Sequence, residues 1–225
     1  MYELIVLALL AQWPLHGYLI AKITNDMLGP YARLSSGRLY PLLTRLEAWG
    51  LIAIAGAQQP TSGRRQRTYR ITEEGRWRCH ELLMDTTSNL GDYQRVFWYK
   101  VASMSLLDLS ERLYLVDHYI IYCQTNIYHH QAEIADMPNH RARFEASPPL
   151  HYEATLLVLE HVLRQWRLQL EDATSLRARL AVDGVASAGA AADERATADV
   201  ERGARNGDRR HKRSRTIENA NEERM

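Results

Sequence analysis

Residues 35–52, SSGRLYPLLTRLEAWGLI, carry two unlike helical faces. Leu39, Leu42, Leu43, Leu46 and Trp49 recur at steps of three and four and make one apolar stripe. The other side carries Arg38, Tyr40, Pro41, Thr44 and Arg45, with no glutamate before Glu47. A helix that merely faces water mixes both signs of charge. This face suits a polyanion instead. An arginine fork fits guanine O6 and N7 or a phosphate, and threonine and tyrosine hydroxyls reach phosphates or base edges. Pro41 stands early in the helix, where a missing N–H costs less, and its ring is small enough for close approach. A second cluster, Arg64, Arg65 and Arg67, lies in the turn-rich run GAQQPTSGRRQR, where structure requires no charge. Between Arg33 and Arg78 nine arginines stand against three acids, although the whole chain carries a formal net charge of only +1. Local clustering, not bulk charge, points to nucleic acid. Each phosphate neutralised adds about 0.9 to the slope of log affinity against log salt.

The surrounding pattern supplies elements to position these groups. The apolar run of residues 2–12 predicts a buried first helix, ended at Trp13-Pro14 because the residue before proline disfavours helical geometry. A second helix follows over 16–27, and Gly29-Pro30 breaks it. Ser35 or Ser36 caps the third, and Gly50 stops it. LIAIA, the basic turn and TYRIT then predict a strand, a long hairpin tip and a returning strand. Thr72 caps a fourth helix whose Glu73 and Glu74 complement its dipole. Three helices and a hairpin are the element order of a winged helix, with the third helix in the major groove and the hairpin, or wing, on the backbone.

At 225 residues and 46% hydrophobic content the chain is globular, with room for more than one core. Cys79 and Cys123 show neither a disulfide framework nor a metal-finger spacing, so a reducing compartment is expected. The first helix has Glu3 where a signal peptide has a cation, and it is too short to span a bilayer. A cytoplasmic protein with no membrane partner is therefore expected.

From Asp92 the composition turns helical and aromatic. A helix through Phe97, Trp98 and Tyr99 leads to Ser110, the expected N-cap of a long helix over 111–136. Proline breaks follow at 138 and 148–149, and then a second long helix over 152–173. The latter bears the seam Leu156, Leu159, Leu163, Trp166 and Leu170, offered as a dimerisation surface. A hairpin burying both seams within one chain satisfies the same spacing. Phe97, Trp98 and Tyr99 cannot all face one core, because consecutive helical residues fan around the axis. Phe97 and Trp98, with polar help from His16, Tyr18 or Lys100, are candidates to bind a small aromatic ligand, and packing is the competing role. Six histidines (118, 129, 130, 140, 151 and 161) lie near Cys123 but lack a tight ligand spacing, so neither metal nor cofactor is expected. The expected division is a winged helix over 1–90, a helical domain over 91–180 and a disordered tail over 181–225.

YELIVLALL, PLHGYLIAKI, SSGRLYPLLTRLEAWGLI and GRRQRTYRITEEG together resemble the PadR family of bacterial transcriptional regulators over residues 2–85. The C-terminal half is similar to its larger subfamily, with a helical virulence-activator-like domain. The resemblance implies a winged-helix dimer that represses from a palindromic operator and is released in some members by small aromatic ligands. By position it places Ser35, Ser36, Arg38, Tyr40, Pro41, Thr44 and Arg45 on the recognition helix, and Arg64, Arg65 and Arg67 on the wing. Arg38 stands where many members have a small residue, so an operator sequence does not carry over. No phosphate-binding glycine loop, zinc-protease motif or nucleophile elbow is present, and an enzyme is not expected. A winged-helix protein–protein adaptor is the alternative, though it has no need of Arg38, Arg45 and Arg64 together.

Overall fold

The computed structural model describes residues 1–29, 34–58, 66–88, 90–144 and 151–184. The hairpin tip with Arg64 and Arg65, the Pro148-Pro149 segment and the expected disorder beyond residue 184 lie outside the described residues. Met1–Ala173 form one compact unit, and Thr174–Met225 fall in a second.

Helix α1 (Tyr2–Gln12) buries seven successive residues, Leu4 to Leu10, which makes it the hub of the first core. A helix apolar all round is stable only when surrounded. The short strand β1 (Leu15–His16) leads into α2 (Gly17–Leu28), which Gly29 ends with a φ of 84°. Helix α3 (Ser36–Ala48) turns Leu39, Leu42, Leu43 and Leu46 inward. Asn25 fixes the approach to it by donating to the Leu34 carbonyl at 3.3 Å and accepting the Leu34 N–H at 2.6 Å. Strands β2 (Ile52–Gln58) and β3 (Gln66–Ile71) form the antiparallel hairpin, and β1 adds to β3, in the order β1-β3-β2.

Helix α4 (Glu73–Met84) is capped by Thr72 as expected. The Thr72 hydroxyl accepts the Gly75 N–H at 3.0 Å and donates to the Gly50 carbonyl at 2.6 Å. Gly75 cannot be replaced cheaply, because a Cβ there would sit 1.9 Å from the Leu51 carbonyl oxygen. The end of α3, the start of β2 and the start of α4 thus meet in one knot, which sets the angle between α3 and the hairpin.

Helices α5 (Tyr93–Val101), α6 (Leu109–Asp136) and α7 (Arg141–Phe144) follow, and residues 151–184 form α8. Two expected boundaries move by more than one residue. The cap of α6 is Asp108, not Ser110: Asp108 accepts the Glu111 N–H at 2.8 Å, while Glu111 accepts the Asp108 N–H at 3.1 Å. A carboxylate with a partner three residues on satisfies two orphan donors at once, whereas Ser110 only donates to Asp108 at 2.7 Å. Helix α8 runs to residue 184, past the expected end at 173 and into the expected tail. Leu, Arg and Ala are strong helix formers, and the run SLRARLA contains little else.

The protein is mainly α, with an N-terminal winged helix and a helical C-terminal half. The halves are joined by His80 on α4, whose Nε2 lies 2.7 Å from Glu111 on α6, and by buried Lys100, whose ammonium donates to the Asp85 carbonyl at the end of α4.

Candidate nucleic-acid interface

Ser35, Ser36, Arg38, Tyr40, Pro41, Thr44 and Arg45 are all exposed on one surface of α3. The leucine stripe behind them is buried, so the helix is held by its apolar side and presents the polar one. Tyr40 is 49% exposed. Its ring edge closes on α2, since a Cβ added at Gly17 would lie 3.1 Å from Tyr40 Cε1. Pro41 is the sixth residue of α3, deeper than the first turn. Lacking an N–H, it leaves the Gly37 carbonyl without its intrahelical partner, a cost that an exposed face can bear. Among the described residues no carboxylate pairs with Arg38 or Arg45. The basic surface is thus not neutralised from within.

Arg67 is exposed on β3, opposite Ala57 on β2. Next to it, Tyr69 is buried and faces Ile54 across the hairpin. Burial pushes the Tyr69 phenol above its ordinary value, against an opposing pull from Arg67. Arg67 therefore sits two residues from a buried position of the hairpin.

Trp49 was expected in the apolar stripe and is instead 57% exposed, with the Arg45 guanidinium carbon 5.1 Å from its ring centroid. Its spacing fits two faces: three residues after Leu46 it continues the buried stripe, four after Arg45 it continues the outer one. The second spacing was the signal that would have found it.

The candidate ligand residues divide. His16 Nδ1 lies 2.8 Å from the Thr68 hydroxyl, and Tyr18 is 71% exposed at the start of α2. Phe97, Trp98 and Lys100 lie together on α5. Phe97 is wholly buried and stacks on Tyr119 at 3.7 Å with rings 9° from parallel. The Trp98 indole N–H donates to Gln169 at 2.6 Å, and the Tyr119 hydroxyl donates to the same oxygen at 2.8 Å. Burial draws the Lys100 ammonium down to about 8, partly opposed by Asp85. Burial likewise lowers His118, helped by Lys100. An open cleft of about 480 Å³ lies elsewhere, lined by Ala11, Arg76, Trp77, His80, Leu83 and Leu106 among others.

Of the seam residues, Leu163 and Trp166 are buried within the chain, with Trp166 edge-on to Tyr122 at 5.5 Å. Leu156, Leu159 and Leu170 are half-buried. Among the described residues no group of three or more His, Cys, Asp or Glu is placed to hold a metal ion, and no helix is long and apolar enough to cross a membrane.

No curated protein matches the chain. Solved structures similar to it include Bacillus subtilis PadR in complex with operator DNA, at 20% identity and a TM-score of 0.36, covering 79% of this chain and 98% of that one. The same protein in complex with p-coumaric acid is 21% identical with a TM-score of 0.33, covering 79% and 97%. The Vibrio cholerae virulence activator AphA is 17% identical with a TM-score of 0.32, covering 81% and 99%. Likenesses this distant carry no argument about individual residues. The model of the transcriptional regulator PadR-like family matches residues 6–81, the span from α1 through the hairpin and most of α4. Over that winged-helix segment, about a third of its length, the chain is similar to the PadR-like family of transcriptional regulators.

Proposed function

We propose that the protein is a non-enzymatic, cytoplasmic regulator that binds a palindromic operator as a homodimer and represses transcription. The observation that carries this is the exposed, internally unpaired Arg38–Arg45 surface of α3, within the segment that matches the family. The first residues of a recognition helix reach base edges, so Arg38 is the proposed base reader. Ser35, Ser36, Tyr40, Thr44 and Arg45 surround it, and Arg64, Arg65 and Arg67 supply wing contacts to the phosphates.

Two half-sites require two copies. Helix α6 exposes Tyr114, Ile121 and Tyr128, each seven residues after the last, and α8 exposes Leu157. With Leu163 and Trp166 used inside the chain, these outer faces, with Leu156, Leu159 and Leu170 beside them, are the proposed dimer surface. A small aromatic effector completes the proposal, supported by the p-coumaric acid complex of the Bacillus subtilis protein. Trp98 and Lys100 remain candidates to contact it if the aromatic cluster opens, and the cleft beside Trp77 offers room without opening.

The test is fluorescence-anisotropy binding to the DNA upstream of the protein's own gene, with competitor DNA and a salt series. Specific binding that Arg38→Ala plus Arg45→Ala abolishes is the expected result. The Arg64→Ala, Arg65→Ala variant should mainly flatten the salt slope. Weak binding equal on every sequence, unchanged by either variant, would sink the proposal in favour of a protein–protein adaptor.

A further inference from the structure

Trp49 ends the outer stripe of α3. It follows Ala48, the last helical residue, and its N–H donates to the Arg45 carbonyl at 3.0 Å. Arg38, Pro41, Arg45 and Trp49 step by three, four and four, so they share one side of the helix. An indole gains more from burial than almost any side chain, yet this one is 57% exposed. Its described contact is with a cation: the Arg45 guanidinium lies over the ring, 5.1 Å from the centroid.

The geometry favours a particular use of Arg45. A guanidinium held over an aromatic ring keeps N–H donors for a phosphate, which they hold in bidentate fashion. The contact also restricts an otherwise mobile side chain before DNA arrives, so less freedom is lost on binding. Arg45 lies in the last turn of α3 and Arg38 in the first, and it is the start of a recognition helix that enters the groove deepest.

We infer that Trp49 is a positioning residue for Arg45: the indole holds the guanidinium against a backbone phosphate at the C-terminal end of α3. That contact fixes the register in which Arg38 meets its base. The inference rests on the proposed DNA-binding function and adds a division of labour between two arginines of the same face.

The test is a double-mutant cycle on the full-length protein, with a labelled duplex that the wild type has selected from a random-sequence library. Arg45→Ala should reduce the salt slope by about 0.9, the value for one phosphate. Trp49→Ala should lower affinity about 2- to 5-fold, the worth of an exposed cation–π contact, with the salt slope kept. Trp49→Phe should recover part of that loss. In the Arg45→Ala background, Trp49→Ala should change nothing further. Equal losses from Trp49→Ala in both backgrounds would overturn the inference, since the indole would then touch DNA itself. No loss in the wild-type background would overturn it as well. So would an Arg45→Ala variant with an unchanged slope and relaxed preference at one base pair. A library that yields no enriched sequence overturns the DNA-binding proposal, and this inference with it.

Discussion

Helices α3 and α5 each carry a short run of residues that invites a ligand, and the structure treats the two runs in opposite ways. On α3 the arginines, tyrosine and threonine stand in solvent, held by a buried leucine stripe on the far side. On α5 the aromatic run turns inward: Phe97 lies flat on Tyr119, Tyr93 meets Tyr122 edge-on at 5.1 Å, and Trp98 reaches Gln169, 71 residues away. A polar residue on an amphipathic helix has one default place, the side opposite the core. An aromatic residue has two, because its gain from burial is open to any partner that the fold brings near.

Substitutions can break this contrast. The largest effect is expected from Phe97→Ala, which removes a wholly buried ring and its stacking partner's contact and should destabilise the protein by about 3–5 kcal/mol. Urea unfolding measures it. A loss below about 1 kcal/mol would mean that α5 holds an open binding site and not a filled core. The opposite signature belongs to Arg38→Ala plus Arg45→Ala. Operator affinity should fall about 100-fold or more, at roughly 1–3 kcal/mol per base or phosphate contact, while the urea midpoint stays put.

Gln169→Leu sharpens the comparison at smaller scale. It strands two donors, the Trp98 indole N–H and the Tyr119 hydroxyl, and should cost about 1–3 kcal/mol of stability. A neutral result would show that water satisfies both groups. The last effect is the pH dependence of Lys100. Burial lowers its folded-state value from 10.5 to about 8, so above pH 8 the folded protein has released a proton that the unfolded chain still holds. The unfolded state binds more protons there, and the Lys100 contribution to stability rises with pH from about 8 to about 10. Lys100→Met should remove that rise, as read from the midpoint of urea unfolding at a series of pH values. A rise that persists in the variant would assign it to other groups.

Much of the N-terminal half was legible residue by residue. Its helices, its hairpin and the Thr72 cap follow from patterns a few residues long, whose causes are equally local. The α6 cap was legible too: Asp108 with Glu111 three residues on is a capping box, and Ser110, a good capping residue by type, drew the boundary two residues late. Trp49 was misplaced because its position lies between the two faces of α3, where a three-residue step from Leu46 and a four-residue step from Arg45 compete. Periodicity cannot rank them. The packing of Leu42, Leu43 and Leu46 fills the inner side and leaves the indole to the guanidinium.

The seam on α8 shows the same limit at longer range. Its spacing established a face, and the chain's own α6 took Trp166 through Tyr122, with Tyr119 holding the nearby Gln169, while Leu163 is buried within the chain. The sequence by itself determined the main helices and the hairpin, which face of α3 is polar and which family model the winged helix matches, because each rests on local periodicity or local residue type. Only the tertiary structure decided that Phe97 and Lys100 are core, that Trp49 stands out beside Arg45, and that part of the seam is spent inside the chain. Those outcomes depend on which surfaces, distant in sequence, compete to bury the same apolar area.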